Sequence, residues 1–387
     1  MDPPKGTDMT QIQQAIDRLA HLPPSPHPVI SCFVNTGPDG RGRPTFMPFL
    51  KKAFADRLRS FPERSDAARH IEADRDRIVA FLSGELDPAA RAASIHASDA
   101  DDLWEAHTFR APFDEERVVV GPVPHLYPLV KLADQSPLYA VCVADSREAR
   151  LVVCGLGQVL TEEDFAGPAP IDQTRVAGWA EVRYQSRIDD HLQKNAREIV
   201  ERLGRIVERD EVDYVILGGD DLILGELRRH LTPAIREKLI DEEHIPIEAA
   251  SHEILKRTLQ VVRDTEARDS RRLADTVIDR YRAGGLAVAG LEPTIEALNL
   301  EQVDQLLLAE SFNGERAGWQ CAECRVLGPD SAPEACPFCQ APLPERVDLR
   351  EAMVRRAERT GRKVEIVERH PGLEALDGVG ATLRYRV

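Results

Sequence analysis

The 387-residue chain has no apolar run approaching the eighteen or so residues of a membrane span. Its opening, Met1-Asp2-Pro3-Pro4-Lys5, lacks the apolar stretch of a secretory signal. The expectation is a cytoplasmic protein with no membrane partner. Positive charge is also scarce, since 50 Lys and Arg face 66 Asp and Glu and leave a net charge of −16. That excludes broad attraction to DNA or any other polyphosphate and leaves only a local basic face open. The chain has no Gly-x-Ser-x-Gly, His-Glu-x-x-His, kinase, Gly-x-Gly-x-x-Gly or Walker pattern, and its eleven histidines are scattered. Gly218-Gly219 precedes a helix, but Asp220 and Asp221 follow at once and would repel a phosphate. Nothing in the residues demands an enzyme. Seven cysteines do not make a disulfide framework, and Cys32, Cys142 and Cys154 lie singly in apolar runs as small buried hydrophobes.

What is present is a globular composition, 42% hydrophobic and 30% charged, in a chain too long for one ordinary core. Three domains are expected. Residues 1–135 read as α+β, with helices at 8–22, 46–59 and 65–83, a buried strand at 29–36, and short strands at 92–96, 103–109 and 117–120. Residues 136–283 read as α/β. They hold a hairpin at 139–155, an acidic excursion at 161–174 and a strand at 212–219. A helix capped by Asp220, a short helix at 233–239 and a strand at 245–249 follow. A long helix at 251–282 has Ser251 as N-cap and stops at Gly284-Gly285. Residues 284–387 read as α/β around a cysteine-bearing insertion at 319–342.

That insertion carries the most specific motif. Cys321-x2-Cys324 and Cys336-x2-Cys339 enclose eleven residues. Two such knuckles converge four thiolates on one metal in a closed tetrahedral site, which is the pattern of a structural zinc ribbon. A closed site has no open position for chemistry, so the zinc would stabilise the fold. Two dithiol pairs without a thioredoxin-like context fit a redox role poorly. Glu323, Asp330 and Glu334 against the single Arg325 suit a structural or protein-contacting surface.

The second feature runs from Arg175 to Arg209. A polar segment, Arg175 to Tyr184, contains Gly178 beside Trp179 and leads into a long helix. Ile188, Leu192, Ala196, Ile199, Leu203 and Ile206 recur at helical spacing and form its apolar stripe. Arg187, Lys194, Arg197, Arg202 and Arg205 occupy other faces. A loop tip on a stiff, basic-studded rod suits insertion into a partner.

The order of these features, with Gly284-Gly285-Leu286-Ala287-Val288-Ala289-Gly290, Val303 to Ala309 and a closing Gly378 to Tyr385, resembles the archaeo-eukaryotic release factor and Pelota superfamily. It is similar to the bacterial branch, which includes Balon-type ribosome hibernation factors. The resemblance covers about residues 137–387, and the N-terminal domain looks like that of the bacterial members alone. It implies a three-domain tRNA mimic that enters the ribosomal A site and contacts rRNA. Its C-terminal domain would resemble a kink-turn-binding ribosomal protein and would touch a translational GTPase or the ribosome. Aligned through Arg183-Tyr184, the family's Gly-Gly-Gln falls on Ala177-Gly178-Trp179. In release factors that motif admits water to the peptidyl-tRNA ester, with close backbone approach and an amide aimed at the oxyanion. Trp179 cannot imitate a glutamine but can stack on an RNA base. Gln185 reaches the site only if the loop is rebuilt. No stop-codon-reading motif is recognisable in residues 29–60. The expected role is therefore hibernation-type A-site occupancy, with RNA contacts from Arg175, Trp179, Arg183, Arg187, Lys194 and Arg197. Peptidyl-tRNA hydrolysis in ribosome rescue, through Gly178, Trp179 and Gln185, is the alternative, and a zinc-ribbon adaptor with no ribosomal role is a weaker one.

Overall fold

The computed structural model describes residues 9–38, 45–166, 179–312, 317–342 and 344–385, with 179–189 described as backbone only. Two compact units divide the chain, one made of 1–135 with 267–387 and the other of 136–266.

In chain order the first segment holds α1 (Met9–His21), β1 (Val29–Asn35), α2 (Phe46–Leu58), α3 (Asp66–Gly84), β2 (Ala92–Ser98), β3 (Leu103–Phe109), β4 (Arg117–Gly121) and α4 (Tyr127–Asp134). Its sheet runs β3-β2-β1-β4 and is antiparallel throughout. Strand β1 is a continuous apolar run because both of its faces are covered. Ile30, Cys32 and Val34 meet Phe46, Leu50 and Phe54 of α2 and Ile71 and Ile78 of α3. Phe33, on the other face, lies edge-on to His96, Phe113 and His125. Burial lowers the His96 imidazole to about 4 and that of His125 to about 3, so both are neutral when folded.

The middle unit contains β5 (Tyr139–Ala144), β6 (Glu148–Gly155), β7 (Gln158–Ala166), α5 (Trp179–Arg209), β8 (Tyr214–Gly219), α6 (Asp221–His230), α7 (Pro233–Lys238), β9 (Leu239–Glu243) and the first half of α8 (Ser251–Arg282). Its sheet runs β7-β6-β5-β8-β9, with β5, β8 and β9 parallel to one another and the rest antiparallel. Helix α5 covers one face through Leu192, Ala196, Ile199, Leu203 and Ile206. Ile254 and Val262 of α8 cover the other. Asp220 caps α6 as expected, accepting from the amides of Leu222 and Ile223 at 3.0 Å each. Gly219 (φ 150) has to be glycine, because a Cβ there would sit 2.4 Å from the Ala144 carbonyl oxygen. The thiols of Cys142 and Cys154 are buried and pushed up to about 12, as is that of Cys32 in the first sheet.

Three expectations for this unit change. The acidic excursion forms edge strand β7 up to Ala166, because its carboxylates find partners: Glu162 pairs with Arg150 and Glu163 with Arg209. The strand expected at 245–249 is absent, and Leu239–Glu243 is the strand instead. Ile245, Ile247 and Ala249 are still buried, but Pro246 has no N–H to give to a ladder. Ser251 gives its hydroxyl to Glu162 at 2.6 Å rather than accepting from the first turn of α8.

The last segment adds β10 (Ala287–Ala289), α9 (Leu291–Asn299), β11 (Val303–Ala309), β12 (Ala317–Gln320), β13 (Leu327–Pro329), β14 (Glu345–Asp348), α10 (Leu349–Arg359), β15 (Lys363–Val367), α11 (Pro371–Glu374) and β16 (Val379–Leu383). One sheet runs β10-β16-β11-β15, with β11 and β15 parallel; a small one runs β13-β12-β14. Helix α8 ends as expected, with Gly284 at φ 69 and the Gly285 amide donating to Arg280 O at 2.7 Å.

Within this unit the two ends of the chain are joined by α10. The Glu351 carboxylate accepts from the amides of Leu126 and Tyr127 at 2.9 to 3.0 Å. Those amides open α4, which has no cap from its own N-cap residue. One turn on, Arg355 donates to the carbonyls of Leu19 and Ala20 at 3.0 and 3.1 Å, and to that of Pro124. Leu19 and Ala20 close α1. One face of α10 thus caps one helix N-terminus with an anion and one helix C-terminus with a cation, as the helix dipoles favour.

Candidate functional site: the cysteine quartet and the long helix

The quartet forms at the open end of the small sheet. Cys321 to Cys339 and Cys324 to Cys336 lie 3.5 and 3.6 Å apart between sulfurs. All four sulfurs fall within 4.8 Å of one another. A tetrahedral thiolate cage with bonds of about 2.3 Å needs sulfurs about 3.8 Å apart, so the spacing fits a metal.

The two knuckles have the same backbone. The Cys321 amide donates to Val326 O at 3.0 Å, and the Cys336 amide to Ala341 O at 2.8 Å. The amides four residues on, Arg325 and Gln340, donate back to the cysteine carbonyls, each at 3.0 Å. Both of those residues are left-handed, with φ of 61 and 63. Amides inside each knuckle also aim at sulfur. The amide of Cys324 lowers the Cys321 thiol. Burial resists ionisation of Cys336, but the amides of Cys339 and Phe338 carry it down to about 6. Burial pushes Cys324 up to about 12.

The floor under the quartet is tight. A Cβ at Gly328 would lie 2.2 Å from the Trp319 ring, and one at Gly318 would lie 2.7 Å from Leu349 Cδ1. Asn299, at the end of α9, holds β13 by donating to Leu327 O at 2.8 Å and accepting from its amide at 2.9 Å. The four cysteines can hold a metal, and the sequence found all four of them.

For the long helix the element comes first. Helix α5 begins at Trp179, not after Tyr184 as the sequence suggested, and so takes in Arg183, Gln185 and Arg187. No proline and no glycine interrupts 179–203, which is why the helix extends that far back. Positions 179 and 185 are then about 9 Å apart along the axis and about 120° apart around it. Arg175 and Gly178 lie outside the described residues, as do the side chains of Trp179, Arg183, Gln185 and Arg187. Lys194 and Arg197 are exposed, and among the described residues neither has an ion pair. Positions 183, 187, 194 and 197 fall within an arc of about 80°, opposite the buried stripe. Further along, Arg202 stacks 4.4 Å over Phe165 and pairs with Glu198, while Arg209 is held by Glu163 and Asp210. Arg205 is exposed and, among the described residues, without an ion pair, like Lys194 and Arg197.

Among the described residues, no helix is long and apolar enough to cross a membrane. Sequence reasoning missed Glu351 and Arg355. The available signals were Asp348-x-x-Glu351, a capping pattern, and an i, i+4 acid–base pair on a helix. Their partners are backbone atoms, which leave no trace in spacing.

Residues 124–263 match the family described as "Bacterial archaeo-eukaryotic release factor family 10". The chain is similar to "Peptide chain release factor subunit 1" of Thermococcus sibiricus, 25% identical over 294 residues, 67% of this chain and 69% of that one. Among solved structures it is similar to the Pelota protein of Archaeoglobus fulgidus, at 17% identity and TM-score 0.34 over 76% of this chain and 80% of that one. It is also similar to Dom34 of S. cerevisiae, described as a translation termination-like factor interacting with Hbs1, at 11% identity and TM-score 0.40 over 76% and 79%. By these similarities the chain resembles the bacterial archaeo-eukaryotic release factor-like superfamily, translation factors of the release-factor and Pelota-like kind.

Proposed function

We propose that the protein occupies the ribosomal A site in a tRNA-like manner and protects idle ribosomes, acting in the cytoplasm. The observation that carries this reading is the start of α5. Where the superfamily places a catalytic glutamine, this chain has Trp179, and it is the first residue of a helix. An indole there stacks on an unpaired base and cannot position water. The open bases on the same helix, Lys194 and Arg197, with Arg183 and Arg187 at positions on the same face and Arg175 before it, would meet rRNA phosphates. A net charge of −16 requires such a confined patch.

In this reading residues 1–135, 136–283 and 284–387 act as three domains. The last is a kink-turn-binding-protein-like domain with a structural zinc ribbon on Cys321, Cys324, Cys336 and Cys339. It would face the ribosome or a translational GTPase. Peptidyl-tRNA hydrolysis in ribosome rescue is the second reading, favoured by the name of the similar archaeal proteins and by Gly178, which the family motif shares.

Co-sedimentation with vacant ribosomes and with ribosomes carrying peptidyl-tRNA, scored for peptide release in the same tubes, separates the readings. Binding to vacant ribosomes without release is the expected result. Release that Gly178→Val abolishes would establish the hydrolase. Absence of binding at low salt would remove the ribosomal role and leave an adaptor. Replacing Lys194 and Arg197 together by glutamate should weaken binding and lower the salt slope by about two phosphate contacts.

A further inference from the structure

The cysteine quartet and the α10 caps are linked by a short, fully ordered path. Cys321 directly follows β12, whose ladder with β14 runs from Gln320 opposite Glu345 to Ala317 opposite Asp348. Asp348 ends β14 and is also the N-cap of α10, accepting from the Glu351 amide at 3.1 Å. Leu349, the first residue of α10, is fully buried and lies against Gly318 in the middle of β12. Glu351 then caps α4 and Arg355 caps α1. No flexible connection separates the strand that bears a thiol ligand from the carboxylate that closes a helix in the first segment.

We infer that metal binding at the quartet and capping of α1 and α4 by α10 are one linked equilibrium: the metal controls how firmly the N-terminal segment is held. The physical reason is a shared element. The metal ties the two knuckles together, and without it nothing but their own backbone bonds holds one to the other. The small sheet then frays from the Gln320–Glu345 pair beside Cys321 towards the Ala317–Asp348 pair, and with it loosens Gly318 against Leu349 and the first turn of α10. Glu351 is near that turn and is the main acceptor for two orphan amides of α4, so its displacement exposes them. The effect is reciprocal, because two processes that share one structural state change each other's equilibrium by the same factor. In chemical terms the quartet would be a metal-responsive lock, opened by chelation, acting on residues 9–134 through α10. The inference rests on the metal reading of the quartet.

The test is hydrogen exchange of the full chain, with and without one equivalent of zinc, after metal content has been measured. With zinc bound, amides at 122–135 and 14–22 should exchange at least about tenfold more slowly than in the chelated protein, while β8 in the other unit stays unchanged. Glu351→Gln should lower zinc affinity, and the milder Arg355→Lys should do so to a lesser degree, without touching a thiol. Stoichiometric zinc binding with unchanged exchange at 122–135 would overturn the linkage and leave the metal site standing. If no zinc binds, the metal reading itself fails. Loss of protection everywhere, β8 included, would mean general unfolding and would also overturn a specific lock.

Discussion

The cysteine quartet and the α10 clamp both join parts of the chain that would otherwise separate, and they use opposite kinds of partner. The quartet joins side chain to side chain over 18 residues at most. Its geometry repeats, with two knuckles closed by the same backbone bonds and the same left-handed residue. The clamp joins side chain to backbone over 224 to 336 residues. Each of its charges is matched to one helix end, and the two also lie 3.8 Å from each other, with His125 Nδ1 3.1 Å from Glu351. A site made of like side chains announces itself by spacing. A site whose other half is amide and carbonyl does not, although the clamp is fully buried and the quartet is partly exposed.

The contrast can be broken at four places, in falling order of effect. Cys336→Ser should abolish stoichiometric metal binding and unfold the small sheet, since structural zinc sites of this kind contribute on the order of 10 kcal/mol. Metal content together with exchange across 317–348 reads this directly, and retained stoichiometric zinc would show that the quartet is not the site. Glu351→Ala or Arg355→Ala should each cost about 3–5 kcal/mol in urea unfolding, because a buried charge and two helix-end groups lose their partners. The paired replacement Glu351→Gln with Arg355→Met should cost less than the two single losses added together. Strict additivity would show that the two caps act independently. Gly328→Ala should cost about 1–3 kcal/mol, since Trp319 has to move, and should weaken metal binding in proportion. A neutral result would mean that the floor is not packed as described.

The smallest effect is in the pH profile. Burial against α1 raises the Glu358 carboxyl to about 7. A raised acid holds its proton longer when folded than when unfolded. Its stabilising contribution is therefore complete below the unfolded value of about 4.3 and is lost as the pH climbs to about 7. Glu358→Gln should flatten stability across that window and raise the unfolding midpoint at neutral pH. A parallel profile would place Glu358 in solvent. His96 and His125 act at the other end. They are held neutral by burial, and the stability they provide above about 6.5 is lost as the pH falls towards 4.

Much of the fold was open to reading in the residues, for identifiable reasons. Strand β3 was placed residue for residue, and the ends of α1 and α2 within one, because Pro and Gly flank strongly periodic segments. The quartet was readable because a knuckle is a local object. What failed was local pattern overruled by distant partners. Acidic β7 became a strand once Arg150 and Arg209 neutralised it. The alternation at 245–249 was a burial pattern without a ladder. The start of α5 was placed too late because the polar run from Arg175 to Tyr184 was read as one loop around Gly178, although 179–184 carry no glycine or proline and favour helix.

The distance spanned by the clamp has a consequence for synthesis. Helices α1 and α4 emerge early, yet the groups that close their ends are translated 224 to 336 residues later. At 5–20 residues per second, that is a wait of roughly 10 to 70 s. The middle unit is one continuous stretch, 136–266, and can be finished in that interval. The nascent N-terminal segment therefore waits without the caps of α1 and α4 while the centre of the chain is being made.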